Sequence, residues 1–226
     1  MKAQELYQKL ADRELSPIDA AMQALRKKDL VPLLVEGMAQ KKAEVKYGSA
    51  KALRILTDEN PDLLYPYFDT FAGLLGHANK IFQWEAIYVL ADLAGVDEEG
   101  KINGILDAYF ARIEGPNMVT AANIVSGAAR IVAAQPDLAP HLVAEILRAE
   151  RGRYESAECY EVVSGAVLKA FTKIYKWVDD PSLLVAFAKR HRVSSRPSTR
   201  KAAKALLAKY ERLSKSKKVL AALITN

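Results

Sequence analysis

Residues able to do chemistry are scattered along this chain rather than gathered. The three histidines, His77, His141 and His191, stand singly, with no His-Glu pair and no i,i+4 histidine pair. Metal ligands need such spacing to converge on one ion, so no metal and no cofactor is expected. The lone cysteine, Cys159, lies in an apolar stretch and reads as a small buried hydrophobe. No glycine-rich phosphate loop and no Gly-x-Ser-x-Gly elbow occurs. A nucleotide therefore lacks a cradle and a hydrolase triad lacks an anchor. Ser126 and Ser164 each precede a glycine in mid-helix and read as packing residues. Carboxylates cluster at Asp58-Glu59, Asp97-Glu98-Glu99 and Asp179-Asp180. All lie where helices begin or end, and acids near helix N-termini are favoured by the helix dipole. The chain is not expected to be an enzyme.

Binding residues are easier to find. Between Lys189 and Lys218 there are 12 Lys and Arg against one acid, Glu211, whereas residues 1–188 hold 21 basic and 26 acidic residues. Such asymmetry concerns partners rather than fold. On a helical wheel, Ala203, Leu206, Leu207, Tyr210 and Leu213 fall on one side, and Arg200, Lys201, Lys204, Arg212 and Lys215 on the other. Just before them, Lys189, Arg190, His191, Arg192 and Arg196 add charge in an expected loop. This basic end is either a solvated cap or a site for an anionic partner, such as nucleic acid, an acidic protein or a membrane surface. Lys189, Arg190, Arg192, Arg196, Arg200, Lys201, Lys204 and Arg212 are its candidate contacts. Tyr65 and Tyr67 are candidates for binding protein, because interfaces are enriched in tyrosine; Phe68 and Phe71 are expected in the core.

Helices must position these groups. The chain has 226 residues, half of them hydrophobic. Its apolar segments follow the 3.6-residue period, and none alternates over a strand's length. Ser16-Pro17-Ile18-Asp19 reads as a capping serine, a proline at the first helical position and an acid in the first turn. Asp180-Pro181 and Asn60-Pro61 repeat that device. Stops are expected at Gly76, Gly95, Gly115 and Gly152, since glycine accepts a left-handed conformation after a helix end. The pattern predicts helices over 2–12, 16–28, 30–40, 42–58, 62–75, 79–94, 99–113, 117–134, 137–150, 155–177, 181–191, 197–213 and 216–224. No apolar run reaches the ~20 residues that span a bilayer, and the N-terminus lacks a signal-peptide core. A cytoplasmic protein is expected.

The chain also restates itself. Ser126-Gly127-Ala128 returns as Ser164-Gly165-Ala166, and Asn60-Pro61-Asp62-Leu63 as Gln135-Pro136-Asp137-Leu138. A period of about 40 residues with two helices per copy is a helical-repeat signature. Small residues at helix centres, among them Ala50, Ala86, Gly127 and Gly165, mark where one repeat presses on the next. Val45-Lys46-Tyr47-Gly48-Ser49-Ala50-Lys51-Ala52-Leu53 resembles the first-helix pattern of the HEAT/armadillo class, and Thr199-Arg200-Lys201-Ala202-Ala203-Lys204-Ala205-Leu206 is a looser copy.

The resemblance implies an all-α, right-handed α-α superhelix, a HEAT-like solenoid of about five to six helix pairs. It implies one domain over 1–226, with 1–29 as N-terminal cap and 189–226 as basic C-terminal cap. It also implies a non-enzymatic scaffold that binds a protein partner on a surface lined by the second helices. Nucleic-acid binding through the basic end is the alternative. A further alternative is an enzyme similar to the helical-repeat DNA glycosylases, with Trp84 or Trp177 and a nearby acid forming the pocket.

Overall fold

The structure, a computed structural model, describes the backbone of residues 1–224 and the side chains of residues 1–214. The described residues form helices joined by turns and short loops, with no strand. Contacts gather into two compact units, one ending at Tyr109 and one beginning at Phe110.

The first unit comprises α1 (Ala3–Ala11), α2 (Pro17–Arg26), α3 (Leu30–Gly37), α4 (Ala43–Glu59), α5 (Phe68–Leu74), α6 (Lys80–Leu93) and α7 (Lys101–Phe110), whose last residue opens the second unit. Ser16 caps α2 as expected: its Oγ accepts the Asp19 N–H at 3.1 Å, and Pro17 occupies the first turn. Helix α4 packs on α1, α2, α3 and α6. Its buried residues include Val45, Gly48, Ser49, Ala52, Leu53 and Leu56, a stripe at helical spacing. Tyr7 and Tyr109 stitch the layers, their hydroxyls donating to the Leu33 carbonyl at 2.8 Å and the Ile87 carbonyl at 3.0 Å.

The second unit holds α8 (Met118–Ala134), α9 (Ala139–Leu147), α10 (Ala157–Ile174), α11 (Ser182–His191) and α12 (Pro197–Ile224). The long helices α8, α10 and α12 stack in succession, while α9 and α11 pack alongside them. Long-range side-chain hydrogen bonds in this unit follow one spacing. Arg148 to Glu114, Arg151 to Glu114, Tyr154 to Ile113, Arg190 to Glu150, Arg196 to Glu158, Thr199 to Glu161 and Lys209 to Thr172 all join residues 34–41 positions apart. Each reaches back by one repeat, so the period seen in the sequence is the period of the polar contacts.

Ala50, Ala86, Gly127 and Gly165 are all buried, as their small size predicts. Gly165 shows why. A Cβ there would stand 2.9 Å from Thr199 Oγ1, the hydroxyl that donates to the Glu161 carbonyl at 2.7 Å.

Several expectations are corrected. The helix predicted over 62–75 is broken into short turns at Pro61–Leu63 and Tyr65–Tyr67 before α5. Pro66 has no N–H to offer the helical ladder, and Asn60 does not cap: its side-chain oxygen is buried without a partner. The break predicted between 213 and 216 is absent from the α12 backbone. Ser214 there is only a weak helix disfavourer, with no glycine or proline beside it. Of the four expected stop glycines only Gly115 has a positive φ, at 117°. Cys159 is half-buried rather than buried, and Ser156 Oγ lies 3.2 Å from its sulfur.

Replacing Gly165 with Leu is expected to lower stability by about 1–3 kcal/mol through overpacking against Thr199. The gain from removing a mid-helix glycine, under about 1 kcal/mol, is too small to offset it. Urea unfolding of the two proteins checks this, and an unchanged midpoint contradicts the close approach.

Candidate partner-binding groove

A groove of about 640 Å³ crosses the three stacked helices of the second unit. Its floor is made of small side chains: Ala129 from α8, Ala166 and Ala170 from α10, and Ala202 and Ala205 from α12. Ala129 and Ala170 are buried, Ala166 and Ala202 half-buried and Ala205 exposed, so the floor is open to solvent along α12. Ser126, Thr172 and Ser198 add hydroxyls, and Lys169, Lys173 and Lys201 add ammonium groups. Among the described lining residues there is no acid, arginine or aromatic ring.

The three lysines are solvent-exposed. Among the described residues none of them, nor Lys204, has a carboxylate within ion-pair distance. Lys169 and Lys173 are an i,i+4 like-charge pair, and no acid stands three or four residues from either along α10. Such a pair disfavours the helix by about 0.2–0.5 kcal/mol.

The expected basic site divides in two. Arg190 donates from Nε and Nη2 to Glu150 Oε1 at 2.9 and 2.6 Å, and Arg196 from Nη1 to Glu158 Oε1 at 2.5 Å. Arg200 is half-buried, and its Nη1 donates to the Ser194 and Ser195 carbonyls at 2.6 and 2.8 Å. Arg212 is exposed and donates to the Ala208 carbonyl at 3.3 Å. Arg190 and Arg196 thus link the end of α11 and the turn after it to the preceding repeat, Arg200 links α12 to that turn, and Arg212 bonds only within α12. Lys189, Arg192, Lys201 and Lys204 are exposed without an ion-pair partner among the described residues. The apolar side of α12 is as expected at Ala203 and Leu206, both buried, whereas Leu213 is exposed; the Lys215 side chain lies outside the described residues.

Tyr65 and Tyr67 lie in the first unit, on the short turn before α5, both half-buried. Tyr65 is engaged internally. Its hydroxyl donates to Asp97 Oδ1 at 2.6 Å, and Asp97 also accepts the Lys101 and Ile102 N–H groups that open α7. Desolvation and this hydrogen bond push the phenol up to about 12. The Asp97 carboxylate is thus a helix cap, as its place at a helix start suggested. Trp177 is half-buried with Lys176 Nζ 3.9 Å over its ring, and Trp84 is half-buried in the first unit.

Sequence reasoning missed Lys169 and Lys173. Their signal was present: a like-charge pair one turn apart with no acid three or four residues away. It was masked by the much larger charge excess downstream. Ser126, read as a packing residue, lies half-buried at the groove instead. Ser164 does pack, its Oγ donating to the Tyr160 carbonyl at 2.9 Å.

No protein-family model matches the sequence, and no curated protein matches it. Among solved structures the chain is similar to a designed armadillo repeat protein, at 15% identity and a TM-score of 0.53, over 91% of this chain and 90% of that one. The fold is therefore armadillo-like, an all-α helical-repeat solenoid, as the first-helix pattern implied. Among the described residues no group of three or more His, Cys, Asp or Glu side chains is placed to hold a metal ion, and no helix is long and apolar enough to cross a membrane.

Two measurements test these placements, the first of them the division of roles. Arg200→Gln is expected to cost about 1 kcal/mol of stability, because two carbonyls lose a charged donor. Lys204→Gln is expected to change it by less than about 0.5 kcal/mol. Thermal melts of both variants compare them, and equal effects would mean that Arg200 anchors nothing.

His191 supplies the second. Its ring is buried against Phe187, centroids 4.4 Å apart, and near Tyr160 at 6.1 Å. Burial lowers its pKa from the usual 6.5, and Arg190 lowers it further, while Glu161 and Glu150 oppose the shift. Below about pH 6.5 the unfolded chain takes up a proton that the folded chain resists. Stability present above that pH is therefore expected to fall on acidification, and His191→Phe is expected to flatten the fall. Denaturant midpoints between pH 7.5 and 5.5, a window chosen to bracket the free imidazole value, check it.

Proposed function

We propose that this chain is a non-enzymatic scaffold that holds a protein partner through the groove across α8, α10 and α12. One observation carries the reading. Neighbouring arginines of the same unit are bound to its own carboxylates and carbonyls, whereas the groove lysines face solvent over a floor of alanines. An alanine floor admits the backbone and small side chains of a docked chain, and binding of this kind needs no catalytic group. A cytoplasmic location belongs to the same proposal.

Direct nucleic-acid binding is the second reading. It is favoured by the exposed cations Lys189, Arg192, Lys201 and Lys204, which have no ion-pair partner among the described residues and are suited to phosphate contacts.

Capture from a lysate of the source cell separates the two when the wild type is compared with Ala205→Trp, which fills the groove from an exposed position. A protein retained by the wild type after nuclease treatment, and lost from the variant, is expected. Equal retention by both proteins would remove the groove from the proposal. Capture abolished by nuclease would transfer it to nucleic acid. Circular dichroism of the variant must match the wild type, as a single exposed substitution predicts.

A further inference from the structure

We infer that the groove selects an extended, acidic segment of its partner, with carboxylates on Lys169, Lys173 and Lys201. This rests on the scaffold reading and gives it a chemistry. Charge complementarity is the first argument: three ammonium groups line the groove and no described lining residue is acidic.

Spacing is the second. Lys169 and Lys173 are one turn apart on α10, about 6 Å along the axis at 1.5 Å per residue. Alternate side chains of an extended strand are about 6.6 Å apart and point the same way. Acidic residues at i and i+2 of an extended segment therefore match the two lysines. Lys201 stands on the neighbouring helix, whose axis is about 8–10 Å away, so it adds a third charge to one side of the segment rather than in line with the pair. The backbone of the segment lies over Ala166, Ala170 and Ala202, and its intervening side chains point the opposite way, to solvent.

The lining also lacks what a single-stranded nucleic acid uses to hold its bases. Bases bind by stacking on aromatic rings or guanidinium planes, and neither is present among the described lining residues. Lysines over alanines recognise separated carboxylates without a stacking platform.

The test uses the full chain and labelled, end-blocked octapeptides read by fluorescence anisotropy at low salt. The acidic probe alternates glutamate with alanine. Its controls carry glutamine or lysine in place of glutamate, and an oligothymidylate of equal length represents nucleic acid. The acidic probe is expected to bind and the glutamine and lysine probes to bind at least about tenfold more weakly. The variant K169Q/K173Q/K201Q is expected to bind the acidic probe at least about tenfold more weakly than the wild type, with an unchanged melting temperature. Equal binding of the acidic and glutamine probes, or of wild type and triple variant, overturns the inference. So does absence of acidic-probe binding at the highest soluble protein concentration, or oligothymidylate binding more tightly than the acidic probe and lost in the same variant. The scaffold reading fails separately. If the captured protein is lost from Ala205→Trp but retained by the triple variant, the groove stands and its acidic preference falls. If both variants retain the protein, both readings fall.

Discussion

Successive long helices can stack in a repeat only where one of them lacks bulk, and the rest of the second unit depends on that constraint. At Gly165 there is no room for a Cβ, because Thr199 Oγ1 stands 2.9 Å from where one would be. This approach seats the start of α12 on α10. Thr199 then reaches the Glu161 carbonyl, Ser194 donates to the Glu161 carboxylate, and Arg196 reaches Glu158. All three contacts share one register, so a shift of one residue in the seating would misalign them together. The first unit uses the same device at Gly37, where a Cβ would collide with Ser49. The consequence there is a cost: Ser49 Oγ is buried without a hydrogen-bond partner.

Close stacking also determines what the surface looks like. Helices brought together through alanines leave a shallow channel between them, and the residues flanking it decide its character. Here they are lysines. Elsewhere in the unit a basic side chain commonly meets a carboxylate from the preceding repeat, as Arg148 meets Glu114 and Arg190 meets Glu150. Exposed pairs of this kind contribute about 0–1 kcal/mol each. Their effect is mainly to fix side-chain positions and to neutralise the positive charge near the end of α11. Among the described residues of the basic segment, Arg190 and Arg196 are thereby engaged, and Lys189, Arg192, Lys201 and Lys204 have no ion-pair partner.

The proposed binding chemistry follows from what is left over. Lysine is a compact point charge on a flexible stem, so a lysine-rimmed groove reads the spacing of charges rather than the planar geometry an arginine fork would demand. An alanine floor reads size. A partner satisfying both is extended, acidic and slender.

The sequence by itself determined the secondary structure class, the repeat and its period. Capping at Ser16 with Pro17, the 3.6-residue stripe from Val45 to Leu56 and the recurrence of Ser126-Gly127-Ala128 at Ser164-Gly165-Ala166 are local or periodic signals. Local hydrogen bonding and apolar burial act on them directly. It also showed that the charge excess lies between residues 189 and 218. Only the tertiary structure decided which of those charges are spoken for, since Arg190 and Glu150 are 40 residues apart and no local pattern pairs them. It also drew Lys169 and Lys173 to the same groove as Lys201, and paired the Tyr65 hydroxyl with Asp97, 32 residues away. The physical reason is the same in each case. Helix formation is set by neighbours in the chain, whereas ion pairing and exposure are set by neighbours in space, and those exist only once one repeat has packed against the next.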